Sequence, residues 1–141
     1  MFNLFKRKRV ENSQIENVLG NLTINQKMSV INLLMYVAHS DSDPSNIDRV
    51  TQFLEKLIAP LGIPIEKCTT HFEAFGPEKM LEDLQPLEKT QKEFIVIAAF
   101  RILCFDDVLN EPKFHKVVSL FEMIGVSDDH FYTTIEKIMP K

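Results

Sequence analysis

Apolar residues recur along the chain at intervals of three and four, which places them on one face of an α-helix, and no useful stretch alternates with period two. Between Glu11 and Leu22, the residues Ile15, Val18, Leu19 and Leu22 predict a first amphipathic helix. Thr23 or Asn25 caps the next, where Met28, Ile31, Leu34, Met35 and Ala38 line one side and Leu33 and Val37 widen it, so that this helix is expected to be largely buried. Asp43-Pro44 starts a third, since Asp accepts free amide hydrogens and Pro at the first helical position gives up no hydrogen bond. Its inward face is Ile47, Val50, Phe53, Leu54, Leu57, Ile58 and Leu61. Pro60 kinks or shortens its end, and Gly62 closes it.

Pro64 opens a fourth helix with Ile65, Cys68, Phe72 and Phe75 inward, ended by Gly76-Pro77. A short fifth, about 77–84, carries Met80, Leu81 and Leu84. Beyond Pro86 a sixth, about 88–105, is apolar nearly all round at Phe94, Ile95, Ile97, Ala98, Ile102 and Leu103 and is the expected central helix. Asn110 caps a seventh with Phe114, Val117, Leu120, Phe121 and Ile124 inward and Gly125 at its end. Ser127 caps an eighth, 128–139, with Phe131, Ile135, Ile138 and Met139 inward and Asp128 and Asp129 in the first turn, where the helix dipole favours anions.

The pattern occurs twice. Val30–Ser40 leads to an acidic turn at Asp41 and a helix ending in Leu61-Gly62-Ile63; Ile95–Phe105 leads to Asp106-Asp107 and a helix ending in Ile124-Gly125-Val126. Ile47, Val50, Phe53, Leu54 and Leu57 align with Phe114, Val117, Leu120, Phe121 and Ile124, and Cys68, Phe72 and Phe75 with Phe131, Ile135 and Ile138. The prediction is an all-α, single-domain bundle of about seven to eight helices, built from two pseudo-twofold-related three-helix repeats. The first spans about 25–75 and the second about 88–139, joined by a linker helix at about 77–86, and the domain occupies 11–141 after a basic tail at 1–10.

On these residues the chain resembles the TerB-like family of tellurite-resistance and stress-associated helical domains, over about Met28–Met139. The second copy carries the likeness best, in Leu103-Cys104-Phe105-Asp106-Asp107-Val108-Leu109-Asn110-Glu111 followed by Ile124-Gly125-Val126, with nineteen residues from Asp106 to Gly125. The first has Ala38-His39-Ser40-Asp41-Ser42-Asp43 at its turn. The family's turn glycine is replaced by Ser42 and Asp107, and its later acidic position is Asp48 in the first copy but Lys113 in the second, which makes this a divergent member. The resemblance implies an all-helical fold and a role in stress-response or membrane-associated complexes.

Composition narrows the function classes. The 141 residues are 45% apolar and 26% charged, the balance of a folded soluble domain. Lys6, Arg7, Lys8 and Arg9 contribute four positive charges to a chain whose net charge is −4, so the remainder stands at about −8. That acidic body repels phosphate, and nucleic acid is not an expected partner. Phe2, Leu4 and Phe5 precede the four cations, the reverse of a secretory signal. One reading has Phe2 and Phe5 dip into a bilayer surface while Lys6, Arg7, Lys8 and Arg9 meet anionic lipid; the other is a solvated terminus. The best apolar run, Phe94–Phe105, contains Arg101 and is too short to span a bilayer. Cys68 and Cys104 lack ligand spacing and read as buried thiols in a reducing compartment. The expected location is the cytoplasm, with the inner membrane face within the tail's reach.

The chemistry available is carboxylate-rich. Asp41, Asp43 and Asp48 gather at the first turn and Asp106, Asp107 and Glu111 at the second. Such groups suit a divalent cation, although the alternating ligands and glycine of a calcium loop are missing; the alternative is helix capping with solvated charge. His39 beside the first turn and His115 one turn past Glu111 offer zinc ligation or proton exchange, against ordinary surface histidines. No nucleophile motif or phosphate-cradling glycine loop occurs, so no enzyme and no required cofactor is expected. The sequence points to a noncatalytic scaffold with a protein partner, and alternatively to a metal-binding domain using the paired turns.

Overall fold

The computed structural model describes residues 18–39, 44–104 and 111–138, and among them every regular element is helical. Six α-helices follow in order: α1 (Ile24–His39), α2 (Pro44–Ile58), α3 (Ile65–Leu84), α4 (Lys89–Leu103), α5 (Glu111–Glu122) and α6 (Asp128–Glu136), with a 3-10 turn at Ala59–Leu61. The all-α class is the one predicted; the number of helices differs for two reasons. The predicted 11–22 helix lies mostly outside the described residues, with Val18 and Leu19 helical. The predicted fourth and fifth helices form one kinked helix, because Gly76 alone leaves the helical path, at φ 78° and ψ 178°, and the helix resumes through Pro77. No described helix is long and apolar enough to cross a membrane.

The helix starts are set by side chains. Thr23 Oγ1 accepts from the Gln26 amide at 3.1 Å while Gln26 Oε1 accepts from the Thr23 amide at 3.0 Å, so Thr23 and not Asn25 caps α1. Glu88 and Gln91 repeat this reciprocal arrangement at α4, and Ser127 accepts from the His130 amide at 3.2 Å to cap α6. After α5, Gly125 at φ 91° lets the Val126 amide donate to the Phe121 carbonyl at 3.0 Å, and Val126 and Phe121 pack fully buried beneath the turn. Pro60 does shorten the third predicted helix: α2 ends at Ile58, and the tighter turn that follows closes on Gly62 at φ 72°.

α1 and α4 form the centre. α1 packs against α2, α3 and α4, and α4 against α1, α2, α5 and α6. Val30, Leu34, Leu57, Ile58, Leu61, Phe94 and Ala98 line one apolar gap of about 10 Å³, while nearer the other end of α4 the Arg101 guanidinium lies 5.8 Å from the Phe53 ring. These two levels make α2 antiparallel to α4, and the His39–Thr51 contact at 2.9 Å, beside the gap's pairing of Val30 and Leu34 with Leu57 and Ile58, makes α1 antiparallel to α2 and so parallel to α4. The gap holds one water at most and offers it no polar partner, so it is a packing defect of the core.

Ile15, Ile47 and Met139 of the predicted core fall outside what is described, and among the described residues the predicted core is buried or half-buried with one clear exception. Phe75, expected inward at helical spacing, is 60% exposed. It is the last residue before Gly76, where the helix breaks, while Cys68 and Phe72 earlier on the same helix are buried and half-buried. Along the α1–α3 seam, the buried Ser29 hydroxyl donates to Asp83 Oδ2 at 2.9 Å and Lys79 Nζ stands 3.1 Å from Asp83 Oδ1. Replacing Ser29 by Ala removes a hydrogen bond to a charged, half-buried acceptor, and a chemical melt is expected to show a loss of about 1–2 kcal/mol.

Candidate functional site

The helix orientations bring four helix ends together. The C-terminal ends of α1 and α4 and the N-terminal ends of α2 and α5 lie at one end of the bundle. Three contacts mark it: His39 Nε2 to Thr51 Oγ1 at 2.9 Å, Arg101 to Phe53, and Phe100 edge-on to Phe114 with ring centroids 6.2 Å apart. The described chain stops at His39 and at Cys104 and resumes at Pro44 and at Glu111. Arg101 is only 8% exposed, an unusual burial for a cation, which its long aliphatic stem makes compatible with an otherwise apolar helix. Phe114 also meets Phe131 at 5.8 Å and Tyr132 at 5.7 Å, which ties the start of α5 to α6 beneath the same end.

Of the six carboxylates expected there, Asp48 on α2 and Glu111 at the start of α5 are described, and both are exposed. Asp41, Asp43, Asp106 and Asp107 lie outside the described residues, as do Phe2, Phe5, Lys6, Arg7, Lys8 and Arg9. Among the described residues, no group of three or more His, Cys, Asp or Glu side chains is placed to hold a metal ion. The two histidines considered as ligands are placed differently. His39 is hydrogen-bonded to Thr51, and His115 is exposed with its ring 5.9 Å from that of Phe114. Burial pushes the Cys68 thiol up, and neither it nor the half-buried Cys104 is in a disulfide.

Two electrostatic features were not legible in sequence because their members are far apart in the chain or joined across a turn. His130 Nε2 and Glu93 Oε2 meet at 2.8 Å and link α6 to α4. That hydrogen bond holds the Glu93 carboxyl below its usual value against the opposing effect of burial, helped by Lys137, by the His130 charge and by Lys89. A depressed carboxylate contributes stability above its unfolded pKa and loses it as pH falls through the folded one. Glu93→Gln is therefore expected to lower the melt at pH 7 by about 0.5–1 kcal/mol, and the gap to the parent chain should close below the carboxylate range. Across the α5–α6 turn, the exposed Glu122 has its pKa raised by hydrogen bonding to and repulsion from Asp128.

Comparison of the chain with family models, with curated proteins and with solved structures gives no match.

Proposed function

We propose that this chain is a noncatalytic interaction or scaffold domain, a divergent TerB-like protein, that holds a protein partner at the end of the bundle shared by the C-terminal ends of α1 and α4 and the N-terminal ends of α2 and α5. The observation that carries this reading is the convergence of the ends of α1, α2, α4 and α5, with Asp48 and Glu111 exposed there and an aromatic floor beneath. The duplicated pattern supports it too. α1 and α4 run parallel, and each is followed by a helix after which the chain turns on a left-handed glycine, Gly62 beyond the 3-10 turn or Gly125. A pseudo-twofold pair of three-helix units gives such an end two similar acidic edges, suited to gripping one partner from both sides.

A photo-crosslinking residue placed at Asp48, at Glu111 or at the exposed Thr133 of α6 tests this in the intact chain inside cells. The expected result is one shared protein captured from positions 48 and 111 and absent from 133. Capture no greater at 48 and 111 than at 133 would overturn the reading.

A further inference from the structure

Two positive-φ glycines bound the first half of α3. Gly62 stands before it at φ 72° and Gly76 after it at φ 78° and ψ 178°, and a Cβ added at either would meet nothing within 4 Å. Glycine is therefore required at both places by the path of the backbone and not by a close neighbour. The joint at Gly76 also lacks a rung of the helical ladder, because Pro77 has no amide hydrogen to give the Glu73 carbonyl.

The two halves of α3 are held differently. Beyond Gly76, Met80 and Leu84 are buried, Asp83 accepts the Ser29 hydroxyl of α1 at 2.9 Å, and Gln85 Nε2, directly after the helix, donates to the Met123 carbonyl at 3.1 Å. In 65–75, Cys68 alone is buried; Ile65, Thr69, His71 and Phe72 are half-buried and the rest exposed. Among the described residues the side-chain hydrogen bonds of this half stay inside it. Thr69 Oγ1 donates to the Ile65 carbonyl at 3.1 Å and Thr70 Oγ1 to the Glu66 carbonyl at 2.9 Å, and the His71 ring meets Phe75 of the same half at 4.9 Å. Hydroxyls bonded back in this way weaken a helix slightly. Sparse apolar burial, self-contained polar contacts and a joint at each end place 65–75 at the low end of local stability, and 77–84 well above it.

We propose that residues 65–75 are a jointed strap, which opens as one cooperative unit between Gly62 and Gly76 while 77–84 stays seated, and so uncovers the apolar edge of Ile65, Cys68 and Phe72 without global unfolding. The fully buried Cys68 thiol reports that opening. A thiol introduced by Met80→Cys reports the seated half. The first is read in a Cys104→Ser chain and the second in Cys68→Ala/Cys104→Ser/Met80→Cys, each by its rate of reaction with an aromatic disulfide in sub-denaturing urea, divided by the rate of the same thiol in the unfolded chain. Cys68 should react at least roughly tenfold faster than the thiol at position 80, at a rate nearly flat in urea, whereas the rate at position 80 should climb with the slope of global unfolding.

Hydrogen exchange of the unaltered chain makes the same comparison free of any substitution. The amides of 69–75 should share one opening and exchange ahead of those of 81–84. Equal normalised thiol rates, a Cys68 rate that climbs with the global slope, or amides of 69–75 that exchange no sooner than those of 81–84 would each overturn the proposal.

Discussion

Phe131→Ala is expected to destabilise the chain by about 3–5 kcal/mol, more than any truncation at the surface. Phe131 is fully buried in α6 and its ring meets Phe121 at 5.3 Å and Phe114 at 5.8 Å, both edge-on. Removing it deletes the apolar transfer term, leaves a void among large rings that are slow to collapse, and forfeits the ring–ring geometry. Because Phe114 belongs to α5 and Phe131 to α6, the loss should loosen the acidic end as well as the melt. Phe75→Ala, a change of the same chemistry at an exposed site, should alter the melt by less than about 0.5 kcal/mol. Denaturant unfolding of the two variants side by side measures both values.

Asn32→Leu is expected to stabilise the chain, by about 1–3 kcal/mol. Asn32 is buried on α1 with Nδ2 unpaired among the described residues, and Leu has nearly the same shape without a polar group to desolvate. A polar residue kept at such a position at the expense of stability is the kind of local inconsistency that accompanies function. An Asn32→Leu chain that melts no higher than the parent would show that the amide is satisfied.

The fold was read from the sequence wherever local rules act alone. Thr23, Ser127, Gly62 and Gly125 announce helix ends through caps and left-handed backbone, and each stands where that chemistry places it. The central role of the 88–105 segment followed from its nearly all-round apolarity, which fits no position but an interior one. Gly76 shows where this logic stops. Gly-Pro marks a break, but whether two helices separate or one bends depends on packing on either side, and Phe75, expected inward, is exposed beside the bend.

The candidate site was legible to a smaller degree. Two acidic segments in one chain are visible as a repeat, but that the helix ends flanking them share one end of the bundle follows from how α1, α2 and α4 pack, a tertiary fact. Glu93 and His130 sit thirty-seven residues apart on the polar edges of α4 and α6, and no spacing rule joins them. Arg101 was read only as an interruption of an apolar run. Its burial beside Phe53 is set by how α2 crosses α4.

The central claim is that the acidic end serves a protein partner and not a metal ion. Its most direct test is a thermal melt of EDTA-stripped protein titrated with calcium, magnesium, manganese and zinc, run beside Asp41→Asn and Asp106→Asn variants. The account predicts melting temperatures that stay level across all four ions, since an ion bound only to the native fold would raise them in proportion to the logarithm of its concentration. A saturable rise with one ion, lost in both variants, would contradict the account and make the paired turns a metal site.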